Sequence, residues 1–463
     1  MSAWKKFYSQ IKAESWPECS DEENFYNLPQ YVQKECIEKF NYKPGEFLNK
    51  SKLEYKVFPI QTTTACKLKW AWSSIFLTTE TTASCHRTNH HKFDTATFNF
   101  HNTKEKLEDR QQMLNGQWPV VGCNYCRDIE QSGGISDRLA NLNLSGMYHP
   151  HELDVDSKAI KVTPRILEVY FDNTCNLKCV YCGPHFSSLW DAENIQFGQQ
   201  GFLKSKHIDT NKQKIFEYLK INNQYLTLFN FLGGEPLFQK EFLECIEIFE
   251  QYPAPNLKLQ IFTNLNVQKE RLIHIVNKIH NLINKGCLLS FEITASLDCW
   301  GEPQEYVRFP LKLNHWEENF LYLLEQSWIN LIIGSTITPL TIKTLPDLLE
   351  KINNWSKVRK IYHYQNSVNS PDHQFIDIFG NIFVSDFERA LSLKPDTTTE
   401  EISSKEYLKG IAKQSAYNNP QPEKIKKLFD FLTEIDYRRK TNWQKVFPWL
   451  IDEFAKYNLY AQN

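Results

Sequence analysis

FDNTCNLKCVYCGPHFSSLW, residues 171–190, sets Cys175, Cys179 and Cys182 in a Cys-x3-Cys-x2-Cys array directly after the apolar run Ile166 to Phe171, which has strand character. Three thiolates this close together suit an iron–sulfur cluster. A [4Fe–4S] cube has four irons, so three cysteine ligands leave one iron open to something that is not protein. Structural zinc takes four ligands and paired Cys-x2-Cys spacings, which the triplet fits poorly.

Downstream, β-rich apolar runs alternate with longer amphipathic stretches, the pattern of βα units and a parallel sheet. Strands are expected at Ile166 to Phe171, Thr227 to Leu232, Lys258 to Thr263, Ser290 to Leu297, Ile329 to Ile337 and Arg359 to Tyr364. Helices are expected at Asn211 to Gln224, Gln239 to Gln251, Gln268 to Lys285 and His315 to Ser327. The class is α/β, and six such units suit an open partial (β/α)6 barrel.

The chemically informative residues fall just after these strands, where α/β barrels gather their active sites. The second strand ends in Gly233-Gly234-Glu235-Pro236, the third in Thr263-Asn264 and the fourth in Ser296-Leu297-Asp298; the fifth carries Ser335 and Thr336. Paired glycines let backbone carbonyls approach an ammonium, and Asn, Ser and Asp hydrogen-bond ribose hydroxyls or a carboxylate. Taken singly, a Gly-Gly pair is commonly just a turn and Thr-Asn a helix cap. Their ordered recurrence after successive strands argues for a shared site.

The triplet, with Tyr181 before its last cysteine, and the GGEP segment resemble the radical SAM superfamily. The resemblance implies that the open iron chelates the amino and carboxylate groups of S-adenosylmethionine. It also implies that Gly233, Gly234, Glu235 and Pro236 hold the methionine amino group, while Thr263, Asn264, Ser296, Asp298 and Ser335 contact the ribose or carboxylate. Arg308 in EYVR resembles a position that pairs with that carboxylate; an exposed salt bridge is the alternative. Cys299, next to Asp298, is placed to give a hydrogen atom to a carbon radical, or simply fills a strand-end corner.

A second cysteine set lies upstream: Cys66, Cys85, and Cys123 with Cys126 in GCNYC. By spacing alone these four are an ordinary zinc inventory. ACKLKWAW, SCHRTN and RQQMLNGQWPVVGCNYCRDIEQSGG, followed by the triplet segment, resemble radical SAM proteins with a Twitch-type auxiliary domain, related to SPASM domains. Here that domain precedes the barrel, and the resemblance implies a second, fully ligated [4Fe–4S] cluster. His86, His90, His91 and His101 are alternative ligands or ordinary hydrogen-bonded histidines.

The resulting division is an N-terminal arm or cap (1–60), a Twitch-like auxiliary cluster domain (61–150), the partial barrel (160–370) and a mainly helical C-terminal region (371–463). Cys19, Cys36, Cys245 and Cys287 are expected in packing roles. The polar run Lys394 to Lys405 suggests a surface loop, and Glu423 to Tyr460 is helical in pattern. FLTEIDYRRKTNWQKVFPWL resembles family C-termini, and no cysteine follows Cys299, so a C-terminal SPASM domain is not expected.

With 53 Lys and Arg against 55 Asp and Glu, the chain carries no broad basic field for nucleic acid. No apolar run has signal-peptide or membrane-span length, so a cytoplasmic enzyme is expected. Auxiliary-cluster relatives commonly modify ribosomally made peptides, so the resemblance implies a peptide substrate that is crosslinked, epimerised or rearranged, and a flavodoxin or ferredoxin reductant. Modification of a small metabolite or RNA, and a non-catalytic Fe–S or zinc scaffold, are the alternatives.

Overall fold

The computed structural model describes residues 64–119, 122–131, 136–138 and 159–459. The N-terminal arm, with Cys19 and Cys36, lies outside them. Among the described residues are nine strands: β1 (Trp72–Phe76), β2 (Thr81–Ala83), β3 (His91–Lys92), β4 (Ile166–Tyr170), β5 (Leu228–Leu232), β6 (Ala254–Thr263), β7 (Leu288–Ser296), β8 (Ile329–Ile337) and β9 (Tyr362–Ser367). They follow the sheet order β3-β2-β1-β4-β5-β6-β7-β8-β9. The sheet is mixed: β2 pairs antiparallel with β1 and β3, whereas β1–β4, β7–β8 and β8–β9 are parallel. The class is therefore α/β.

The chain divides into two compact units. The first comprises the described residues from 64 to 170 with 205–230 and 252–257. Here α1 (Lys67–Ala71) runs directly into β1, whose Trp72 lies opposite Ile166 of β4. Helix α2 (Lys104–Leu114) starts at Thr103, whose side chain accepts from the Lys106 N–H and so satisfies one of the unpaired first-turn donors. Helix α3 (Asn124–Gln131) carries Cys126. Leu68, Trp70, Trp72, Met113, Ile166 and Leu228 form the apolar core beside Cys66 and Cys123.

The second unit comprises 171–204, 231–251 and 258–459 among the described residues. Its helices include α4 (Ser188–Gln196), α5 (Lys240–Gln251), α6 (Lys269–Asn284), α7 (Glu302–Val307), α8 (Leu313–Glu325), α9 (Leu345–Trp355), α10 (Val384–Leu393), α11 (Thr399–Tyr417) and α12 (Pro422–Arg439), and two short helices, Trp443–Val446 and Trp449–Ala455, follow. Helix α6 buries Leu272, Ile275, Val276, Ile279 and Leu282, one stripe at three- and four-residue spacing. On β8, Ile329, Leu331, Ile333, Ser335 and Ile337 are buried while the intervening residues are more open, the period-two alternation of a half-covered strand.

The six strands expected downstream of residue 165 are all present, with β6 beginning four residues earlier and β9 three residues later than the apolar runs suggest. The stretch Lys394 to Lys405 is a surface loop only in its first part, where Pro395, Asp396 and Thr397 are exposed. Thr398 and Glu401 form a reciprocal capping box that starts α11 at Thr399. Lys394 is buried, donating to Gln365 Oε1 at 2.8 Å and bonding to His363 Nδ1 at 3.1 Å. Cys245 and Cys287 are buried as packing residues.

Candidate active site and cysteine cavity

The loop after β4 carries the triplet, and its backbone is held from several sides. Lys178 N–H donates to Phe309 O at 2.6 Å and Val180 N–H to Val307 O at 2.8 Å, tying the loop to the end of α7. Ser188 Oγ accepts from Cys175 N–H, Ser187 Oγ donates to Leu177 O, and Trp190 Nε1 donates to Cys179 O at 2.8 Å, so the start of α4 closes the loop from below. Cys175, Cys179 and Cys182 are free of disulfides. Burial raises all three thiols, Cys182 to about 12, while Arg308 draws Cys179 in the opposite direction. Metal binding at such thiols must expel protons.

The turn after β5 lies against this loop. Gly233 and Gly234 have φ of 95° and 49°. A Cβ at Gly233 would lie 2.5 Å from Asp172 O, and one at Gly234 only 2.1 Å from Thr174 O. Only glycine allows this approach. Glu235 N–H completes the contact, donating to Thr174 O at 2.8 Å.

The Glu235 carboxylate is buried and turned to the end of β6, accepting from Thr263 Oγ1 and Asn264 N–H, each at 2.7 Å, and from Leu237 N–H at 3.0 Å. Burial outweighs these donors and lifts the carboxyl to about 7. Asn264 Nδ2 reaches Asn176 Oδ1 at 2.9 Å and Cys175 Sγ at 3.8 Å. Pro236 opens the short 3-10 turn that follows.

After β7, Asp298 is fully buried. It accepts from Arg308 Nε and Nη2, both at 2.8 Å, from Tyr181 Oη at 2.5 Å and from Thr336 N–H at 2.9 Å. Arg308 is therefore in a buried, bidentate pair, not an exposed salt bridge, and its Nη1 takes no part in it. Tyr181, expected beside the cluster, spans from the cysteine loop to Asp298. Ser296 ends β7 and is half-buried.

Ser335 lies on the buried face of β8. Its Oγ donates to Leu297 O at 2.5 Å and meets His363 Nε2 at 2.8 Å. Cys299 is fully buried, with Sγ 3.6 Å from Gln304 Oε1 and its thiol raised by that burial.

In the first unit, Cys66, Cys85, Cys123 and Cys126 line one small cavity. Residues far apart in sequence thus converge: Cys66 caps α1, Cys85 follows β2, and the other two flank the start of α3. Lys69, Arg87 and Arg138 line the same cavity. Burial lifts Cys123 to about 11, and Lys69 draws it back. Cationic walls around four thiols suit an occupant with net negative charge. Among the described residues no three His, Cys, Asp or Glu side chains meet at the spacing of a single-ion site.

None of the four nearby histidines lines the cavity. His101 is buried, bonded to Ser73 Oγ at 2.7 Å and Trp70 O at 2.9 Å, and His90 stacks on Phe76. His91 bonds Thr103 Oγ1 at 2.7 Å and His86 faces Asp137.

Sequence reasoning missed the buried bases of α2. Lys106 Nζ donates to Ser73 Oγ, Thr82 Oγ1 and Ala83 O at 2.8–3.0 Å, and Arg110 donates to Lys69 O, Asn102 Oδ1 and Ile160 O at 2.7–2.8 Å. Their helix, KEKLEDRQQML, is charged on every side, so no apolar stripe marks its buried face.

No protein-family model matches the chain, and no curated protein matches it. Among solved structures it is similar to native anSMEcpe with bound AdoMet and Cp18Cys peptide, at 14% identity and a TM-score of 0.31, over 57% of this chain and 64% of that one. It is also similar to Streptococcus suis SuiB bound to precursor peptide SuiA, at 13% identity and a TM-score of 0.32, over 81% and 73% of the two chains. The SuiB structure bound to S-adenosylmethionine gives 13% identity and a TM-score of 0.33, over 75% and 71%. The chain spans just under two thirds of the length of anSMEcpe, and these likenesses are distant ones.

Proposed function

We propose that this chain is a radical SAM enzyme acting on a peptide, with Cys175, Cys179 and Cys182 as ligands of the radical-generating cluster. The observation that carries the reading is the hydrogen-bonded joining of the loops after β4, β5 and β6, through Thr174, Glu235, Asn264 and Cys175, and of the loops after β4, β7 and β8, through Tyr181, Asp298 and Thr336. A structural metal loop needs no such convergence of successive strand ends.

When bound, the [4Fe–4S] cluster and S-adenosylmethionine supply a 5′-deoxyadenosyl radical that abstracts a hydrogen atom. The chain's own residues bind and orient. Gly233 O already accepts from Gln239 Nε2, so an ammonium would meet the Gly234 carbonyl or share that of Gly233, and Asn264 and Ser296 offer polar groups to ribose. Arg308 offers Nη1 to a carboxylate. Glu235, Thr263 and Asp298 hold these groups in place through the bonds described above, and Ser335 braces β8 from its buried face. Cys299, sealed against Gln304, fits the corner-filling role better than hydrogen donation.

The four cysteines of the cavity would hold a second [4Fe–4S] cluster. Full cysteine ligation leaves no open iron, which favours electron transfer or a structural role. A peptide substrate and a flavodoxin or ferredoxin donor follow from the sequence resemblance.

The test is electron paramagnetic resonance (EPR) of the anaerobically reconstituted, reduced protein. Adding S-adenosylmethionine is expected to change the cluster signal in wild type and to change nothing in C175A/C179A/C182A. An unchanged signal from iron-loaded wild type would transfer the reading to a non-catalytic scaffold.

A further inference from the structure

The buried face of α12 runs Ile425, Leu428, Leu432, Ile435 and then Arg439, so a guanidinium occupies the next place in an apolar stripe. Arg439 Nε and Nη2 donate to the Glu193 carboxylate at 3.1–3.3 Å. Lys178, between the first two cysteines of the triplet, pairs with the same carboxylate. The guanidinium lies 4.5 Å above the ring of Trp190, whose Nε1 donates to Cys179 O, and 5.6 Å from the ring of Phe309, whose carbonyl accepts from Lys178 N–H. Arg439 Nη1 is buried and has no hydrogen-bond partner.

Two cations and one carboxylate leave a net positive charge behind Trp190, whose Nε1 donates to Cys179 O, and Arg439 acts electrostatically on the Cys179 thiol. The other buried cation near this cysteine, Arg308, is cancelled by Asp298. Arg439 and Glu193 are buried, so little water screens the charge on that side. Reducing a cluster adds one negative charge without changing its ligands, so fixed positive charge and an unused N–H donor both favour the reduced form.

We propose that Arg439 raises the reduction potential of the cluster at the triplet, which makes α12 part of the radical-initiating site and Arg439 a positioning and charge-setting residue. This rests on the reading of the triplet given above. The electron comes from an external one-electron reductant, and no bond to Arg439 forms or breaks.

The experiment is a dithionite titration of reconstituted wild type, R439M, R439K and E193Q, monitored by EPR on the component that changes when S-adenosylmethionine is added, with iron counted in each sample. All four are expected to load iron equally. R439M should lower the reduced-to-oxidised ratio at the wild-type midpoint about tenfold, a shift of about 59 mV for one electron. E193Q, which removes the compensating negative charge, should raise the ratio, and R439K should stay near wild type. Packing alone would not move R439M and E193Q in opposite directions.

Unmoved potentials in loaded R439M and E193Q, or shifts of the same sign, would overturn the proposal while leaving the triplet reading intact. Wild type that loads no such cluster would overturn both. Should R439M fail to fold, E193Q against R439K decides by the same sign.

Discussion

Arg308 grips Asp298 with two parallel hydrogen bonds of 2.8 Å, and the pair is buried. Tyr181 donates into the same carboxylate, so the end of α7, the loop after β7 and the cysteine loop meet at one group. Removing the charge of Asp298 leaves Arg308 buried without its counter-ion, a loss of about 3–5 kcal/mol for such pairs. D298N is therefore expected to lower the denaturant midpoint markedly, and R308M in the same background should recover part of the loss. Equal midpoints for wild type and D298N would show that the pair does not hold the fold.

Gly234 tolerates no side chain, because a Cβ would meet Thr174 O at 2.1 Å, next to Cys175. G234A is expected to displace the triplet loop and to lower iron uptake there. Gly410, in α11, has open space at its Cβ position. G410A should leave iron uptake unchanged and stabilise by about 0.5–1 kcal/mol, the usual gain for alanine over glycine in a helix. Iron per chain and unfolding midpoints of the two variants check both statements.

Glu235 gives a pH signature with a defined sign. Its folded value of about 7 lies above the ordinary 4.5, so between these values the folded protein holds a proton that the unfolded chain has lost. Stability is thus fully present below about pH 4.5 and falls as pH rises to about 7, by at most roughly 3 kcal/mol at 1.36 kcal/mol per unit. E235Q should flatten this part of the stability profile. The same slope in both proteins, measured by denaturant unfolding at pH 5 and 7.5, would contradict the assignment.

The two cysteine groups should separate by function. C175A is expected to abolish cleavage of S-adenosylmethionine. C123A, which breaks the ring of four cysteines around the cavity, should lower iron content yet spare some uncoupled cleavage. Iron analysis and product counting on each variant decide this; complete and equal loss in both would merge the two sites into one.

The strands and the order of their terminal motifs were legible because alternation and apolar runs are local properties, and β4 to β9 follow them closely. Partners distant in sequence were not legible. Asp298 meets Tyr181 across 117 positions and Glu193 meets Arg439 across 246, and no local pattern announces either bond. Ser335 follows the other motifs in order, but its bonds to Leu297 O and His363 Nε2, 38 and 28 positions away, carry no local signal. One misreading was avoidable. Thr398 and Glu401 stand at capping-box spacing inside the run Lys394 to Lys405, and that signature outweighs the run's polarity.

The most direct test of the radical SAM assignment is release of 5′-deoxyadenosine from anaerobically reconstituted protein given S-adenosylmethionine and a strong reductant, comparing wild type with C175A/C179A/C182A. Release by wild type and none by the triple variant is the predicted result. No release from iron-loaded wild type, or equal release from both proteins, would contradict it.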